Sequence, residues 1–152
     1  MSVPVGKRGK SSMQFLETAN KIELRTIQVC KNWPKTYTFL LTQRTVNLAS
    51  QIYEEALKAN AVMPRTEAER ERRLGHLEEA LGAVYAFARK IERAWSLFPL
   101  CGSKERRSEA EEMEKSNRLL EEFMNLCLEE EDALKGNIHY TRNLKLKEPR
   151  PP

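Results

Sequence analysis

The segment RRLGHLEEALGAVYAFARKIERAWSLF, Arg72 to Phe98, decides the fold. Its apolar side chains Leu74, Leu77, Leu81, Val84, Ala88, Ile91, Trp95 and Phe98 advance by three and four residues in alternation. That is the roughly 3.5-residue period of a helix whose seam packs against other helices in a left-handed bundle. Upstream, Thr66 followed by Glu69 has the form of a capping box, which satisfies amides at a helix start. Downstream, Pro99 and Gly102 mark the end. The spacing predicts a helix over Glu67 to Leu97, about 45 Å long.

The flanking sequence supplies three partners for that helix. Met13 to Lys31 reads as a first helix, with Ser12 as its cap and Phe15, Leu16, Ala19, Ile22, Ile27 and Cys30 as its apolar face. Trp33-Pro34-Lys35 breaks the chain, since proline pushes the preceding residue out of helical geometry. Thr36 to Asn60 reads as a second helix with two apolar stripes, Leu41, Leu48, Ile52 and Ala59 on one, Phe39, Val46, Tyr53 and Leu57 on the other. Arg44 is the only charge between Thr36 and Ile52. Two readings of this helix stand side by side: it is buried both in its own bundle and against another subunit, or it has one broad core face. After Gly102, a second capping box at Ser108 and Glu111 opens a fourth helix to Leu134, with Met113, Leu120, Phe123, Cys127 and Leu134 inward. Gly136 is expected to end it. The fold class is therefore all-α, an antiparallel up-down four-helix bundle over 13–134, with a flexible basic arm over 1–12 and a basic tail over 135–152.

A chain of 152 residues fits one domain, and it needs no disulfide or metal to fold. No apolar run approaches the ~20 residues of a membrane span, so no membrane partner and a cytoplasmic location are expected. Cys30, Cys101 and Cys127 lack close pairing, and His76 and His139 lie near none of them, so free thiols rather than a metal site are expected. The net charge is +4. Residues 1–12 carry +3 and residues 135–152 carry +4, which leaves the body at −3. Basic arms on such a body suit a polyanion, and they equally suit a protein kept soluble.

The candidate contacts to nucleic acid or a partner are Lys7, Arg8 and Lys10 in the arm, Lys35 and Arg44 around the second helix, and Arg89, Lys90 and Arg93 near the third helix's end. Arg142, Lys145 and Lys147 in the tail complete the set. Arg65, Arg70, Arg72 and Arg73 are interleaved with Glu67, Glu69 and Glu71, which favours ion pairs within the helix. Opposite the heptad seam, Gly75, Gly82, Ala83 and Ala86 are small enough to admit another backbone. With Phe39, Val46 and Tyr53 they form the candidate oligomer interface. Between Ser103 and Leu134 lie 11 Asp/Glu against 5 Lys/Arg, a face that nucleic acid avoids. No phosphate loop, nucleophile elbow or histidine-metal pattern is present, so no enzyme activity and no cofactor are expected.

Trp33-Pro34-Lys35 followed by Tyr37, Phe39, Leu40 and Arg44 resembles the start of helix two in the accessory variability determinant (Avd) proteins of diversity-generating retroelements. These are similar in turn to the four-helix proteins encoded in 23S rRNA intervening sequences. Ala56, Leu57, Ala59 and Asn60 fit the family's end of helix two, and the opening Met1-Ser2-Val3-Pro4 with Gly6-Lys7-Arg8 looks like the start of some members. The likeness covers roughly residues 13–130. It implies a four-helix bundle that assembles into a barrel-like homopentamer. Such an assembly binds the retroelement reverse transcriptase and its template RNA, supporting mutagenic cDNA synthesis without catalytic residues of its own. Helix four is acidic here, so the basic groups must come from the arm, the helix-three patch and Lys31, Lys35 and Arg44. The alternative is a helical protein–protein adaptor that binds no nucleic acid and offers helix four to a basic partner.

Overall fold

The computed structural model describes residues 13–103 and 106–146. Four helices follow in order: α1 (Gln14–Cys30), α2 (Gln43–Ala61), α3 (Glu67–Leu97) and α4 (Glu109–Arg142). Each packs on its neighbours in sequence, and α1 closes the ring on α4. The side-chain bonds between α3 and α4 fix their direction. Arg73 meets Thr141, Tyr85 meets Glu131 and Trp95 meets Asn117, so one helix rises as the other falls. Short connections between successive helices impose the same antiparallel order all round. The result is the up-down four-helix bundle.

Local chemistry explains where α3 begins. The Thr66 hydroxyl accepts the Glu69 amide hydrogen at 3.2 Å, and the extended backbone of Thr66 sets up the first turn. Replacing Thr66 with Ala is expected to cost about 1 kcal/mol in chemical denaturation. α4 starts alike, with Ser108 accepting from the Glu111 amide.

The seam of α3 keeps its period but not its phase. Leu77, Val84, Ile91 and Phe98 are buried with Ala80, Ala83, Phe87 and Ala94, whereas Leu74, Leu81 and Ala88 are only half-buried and Trp95 is exposed. Alanines at the centre let neighbouring helices close in, and the larger side chains flank them. Ala83, expected at an outer interface, is thus a core residue. In α2 the buried line is Thr45, Ala49, Ile52, Ala56 and Ala59. Val46 and Tyr53 on one flank and Leu48 on the other pack half-buried against the core. One broad core face accounts for Val46 and Tyr53. It leaves Phe39 and Leu57 uncovered.

α4 continues through Gly136 to Arg142 instead of ending at Leu134. Gly136 sits on an open face, where a Cβ would meet nothing within 4 Å, so the helix runs through it. Side chains from α3 hold the extension in place. Arg73 donates to Asn137 Oδ1 at 2.7 Å and to Thr141 Oγ1 at 3.3 Å, and Arg70 donates to the Leu144 carbonyl at 2.7 Å. Arg142 reaches back to Glu78 at 2.8 Å. Arg70 also pairs with Glu67 within the helix, as the interleaved charges suggested, but Arg73 acts between helices.

The opposite end of the bundle is closed by aromatic packing. Trp33 and Tyr37 each stand 5.1 Å from Phe98, and the Trp33 indole donates to the Leu100 carbonyl at 2.9 Å. Gly102 adopts φ +74°, and a Cβ there would collide with the Asn32 carbonyl oxygen, so only glycine fits this turn. Between Pro34 and α2 the chain makes a 3₁₀ turn, Lys35–Tyr37, and then a π turn, Thr38–Thr42. The expected start of helix two at Thr36 therefore falls within these two turns.

Candidate nucleic-acid and partner interface

A single end of the bundle gathers the groups that have least to do with holding it together. From Leu24 to Tyr53 the chain contains no acidic residue, while Arg25, Lys31, Lys35 and Arg44 are basic. Arg25 is neutralised by Glu122 on α4, at 2.8 Å. Lys31, Lys35 and Arg44 are exposed and have no carboxylate within ion-pair distance among the described residues. Between Lys35 and Arg44 the π turn points Leu41 into the core at 3% exposure and leaves Phe39 at 78% and Leu40 at 70%. With Leu41 turned inward, the two residues before it are carried round the winding to the outer side. The Thr42 hydroxyl inside the turn is buried without a hydrogen-bond partner.

Two of the other described basic candidates are paired. Arg89 pairs with Glu92 at 3.4 Å, and Arg142 with Glu78. Arg93 and Lys145 are exposed and Lys90 is half-buried. Lys7, Arg8, Lys10 and Lys147 lie outside the described residues, as does the proposed cap Ser12. On α3, Gly75, Gly82 and Ala86 face solvent, and a Cβ on either glycine would touch nothing. Gly82, Ala83 and Ala86 floor a shallow cleft of about 320 Å³ against Leu48 and Gln51 of α2, with Glu78 and Glu79 at its edge.

A second hollow, about 640 Å³, lies where α3 ends and α4 begins. Trp95, Leu97 and Met113 line it, and Glu109 and Glu112 stand at its margin. Met113, expected in the core, is 65% exposed there. The Trp95 indole is held by Asn117 Oδ1 at 2.8 Å.

One buried group escaped sequence reasoning. Glu130, one of the acidic residues of α4, is wholly buried, and neither carboxylate oxygen finds a partner among the described residues. Burial pushes its acid up to about 9. Burial also pushes the thiols of Cys30 and Cys127 up to about 12, so both stay protonated and unreactive. All three cysteines are free and buried. Among the described residues no cluster of His, Cys, Asp and Glu has the arrangement of a metal site, and no helix is long and apolar enough to cross a membrane.

The architecture defines a class: a four-helix bundle with an exposed, basic, aromatic-bearing turn before its second helix. Comparison with protein-family models, with curated proteins and with solved structures finds no match to this chain.

Proposed function

We propose that this chain is a non-catalytic accessory protein of a retroelement that assembles with copies of itself and binds a reverse transcriptase and its template RNA, in support of mutagenic cDNA synthesis. The observation that carries the reading is the turn before α2, where exposed Lys31, Lys35 and Arg44, without ion pairs among the described residues, bracket the exposed Phe39 and Leu40 in the sequence. Phe39 and Leu40 are the two most exposed large apolar side chains among the described residues, adjacent to one another and next to these cations in the sequence. The same segment, Trp33 to Arg44, carries the likeness to Avd proteins, which supplies the polymerase and the pentamer. The small-residue cleft between α2 and α3 suits the close approach of a neighbouring subunit.

Fluorescence anisotropy with a structured RNA tests the nucleic-acid part. Affinity is expected to fall at least tenfold between about 50 and 200 mM salt, because each phosphate neutralised releases counterions. Affinity indifferent to salt contradicts it. Light scattering tests assembly. Ala86→Arg is expected to give a monomer of unchanged helicity, since a long charged side chain cannot be enclosed between close backbones. An oligomer of full mass in this variant removes the α2–α3 cleft from the interface, and a monomeric parent chain refutes assembly itself. A second reading, an adaptor that binds no nucleic acid, is favoured by the hollow beside Trp95, whose apolar wall and acidic margin suit a basic protein segment.

A further inference from the structure

We propose that the π turn is a stacking platform for single-stranded RNA: an unpaired base lies on the Phe39 ring while Lys35 and Arg44 hold the flanking phosphates. The inference rests on the RNA-binding reading above and adds which form of RNA is bound, and how.

Three observations converge on this turn. Phe39 is the most exposed large apolar side chain among the described residues, at 78%, and it lies on backbone that departs from α geometry. Lys35 precedes it by one turn and Arg44 follows it by about one turn, and neither has a carboxylate within ion-pair distance among the described residues. No acidic residue interrupts the stretch over 24–53. An exposed aromatic ring with basic residues before and after it in the chain has the groups by which proteins hold unpaired nucleotides, because every base has a π face and every linkage a charge. A paired helix hides its base faces in its own stack, so one protruding ring gains little from it. An anionic membrane would meet the same charges. Peripheral helices that enter one present a long apolar face, however, and here two adjacent side chains of a single turn protrude. Leu40, beside Phe39, is placed to pack against the edge of the base or its sugar.

The test uses the full chain, a fluorescein-labelled single-stranded RNA of 20 nucleotides, the same strand in a duplex, and phosphatidylserine vesicles. The single strand is expected to bind at least tenfold more tightly than the duplex. Phe39→Ala is expected to weaken single-strand binding about tenfold, leave duplex binding unchanged, and preserve both the oligomer mass and the melting temperature, since the ring is exposed. Phe39→Trp is expected to retain affinity, with its added indole emission quenched on binding. Lys35→Gln with Arg44→Gln should weaken both RNAs and flatten the salt dependence. Single strand and duplex bound equally, with Phe39→Ala silent and salt dependence intact, overturns the platform and leaves RNA binding standing. No binding of either RNA at low salt removes both. Loss of oligomer mass in Phe39→Ala makes the ring a subunit contact. Loss of vesicle binding in Phe39→Ala, with RNA binding unchanged, makes the turn a membrane contact. Each of these last two results also overturns the platform.

Discussion

Glu130→Gln is expected to be more stable than the parent chain by up to about 3 kcal/mol at pH 7, with a nearly flat pH profile where the parent's is steep. The sign follows from where the proton sits. Burial pushes the Glu130 acid from its ordinary 4.5 up to about 9. Between those two values the folded chain holds a proton that the unfolded chain has released, so stability falls as pH rises from 4.5 to about 9. Each pH unit in that window costs about 1.4 kcal/mol, which gives about 3 kcal/mol by pH 7. Below the window both states are protonated and this cost vanishes. Glutamine has nearly the same shape and nothing to ionise, and its amide buries one N–H donor more than the protonated acid, so about 3 kcal/mol is the upper end of the gain. Urea unfolding at pH 5 and pH 8 reads the effect directly. The parent should lose about 4 kcal/mol between them from this group, and Glu130→Gln should lose far less. Equal pH dependence in the two proteins would place the carboxylate in contact with water.

The buried acid was within reach of the sequence. Phe123, Cys127 and Leu134 were all read as inward, and Glu130 lies three residues after Cys127 and four before Leu134, on the same helical line. Composition misled: a run of four acidic residues reads as solvated, although helical phase places one of them inside. The same contrast between pattern and tertiary context runs through the fold. The bounds of α3, Glu67–Leu97, follow from its period and its cap because both are local. Its seam was placed on the larger side chains, whereas the bundle seats Ala80, Ala83 and Ala94 at the contact and rotates Leu74 and Leu81 to the flanks. At the end of the bundle that carries the π turn, Lys35 and Arg44 were read from local signals as candidate nucleic-acid or partner contacts and Phe39 as a candidate oligomer contact. That the two cations lack carboxylate partners among the described residues depends on what the other helices bring near, and the π turn itself is something no periodic template contains.

The end of α4 was misjudged for a reason that can be measured. Glycine at 136 and the basic tail beyond it read as a stop, and in an isolated helix they would act as one. Arg73 overrides them. Its guanidinium donates to the carbonyl of Ala59 at 2.8 Å, to that of Val62 at 3.4 Å, to Asn137 at 2.7 Å and to Thr141 at 3.3 Å, so one side chain ties the end of α2 to the last turns of α4. Substituting Arg73 with Met keeps most of the aliphatic stem and deletes every donor. The expected loss is about 3 kcal/mol, because hydrogen bonds to a charged donor are worth more than neutral ones and buried acceptors are left behind. Hydrogen exchange locates the damage. Amides over 137–142 should exchange much faster in Arg73→Met, while those over 119–134 keep their protection apart from the global loss. Exchange accelerated evenly along α4 would mean that the helix beyond Gly136 stands without the clamp. The local signal at Gly136 would then have been overruled by the packing of Ile138 and Thr141 in the core, not by the arginine.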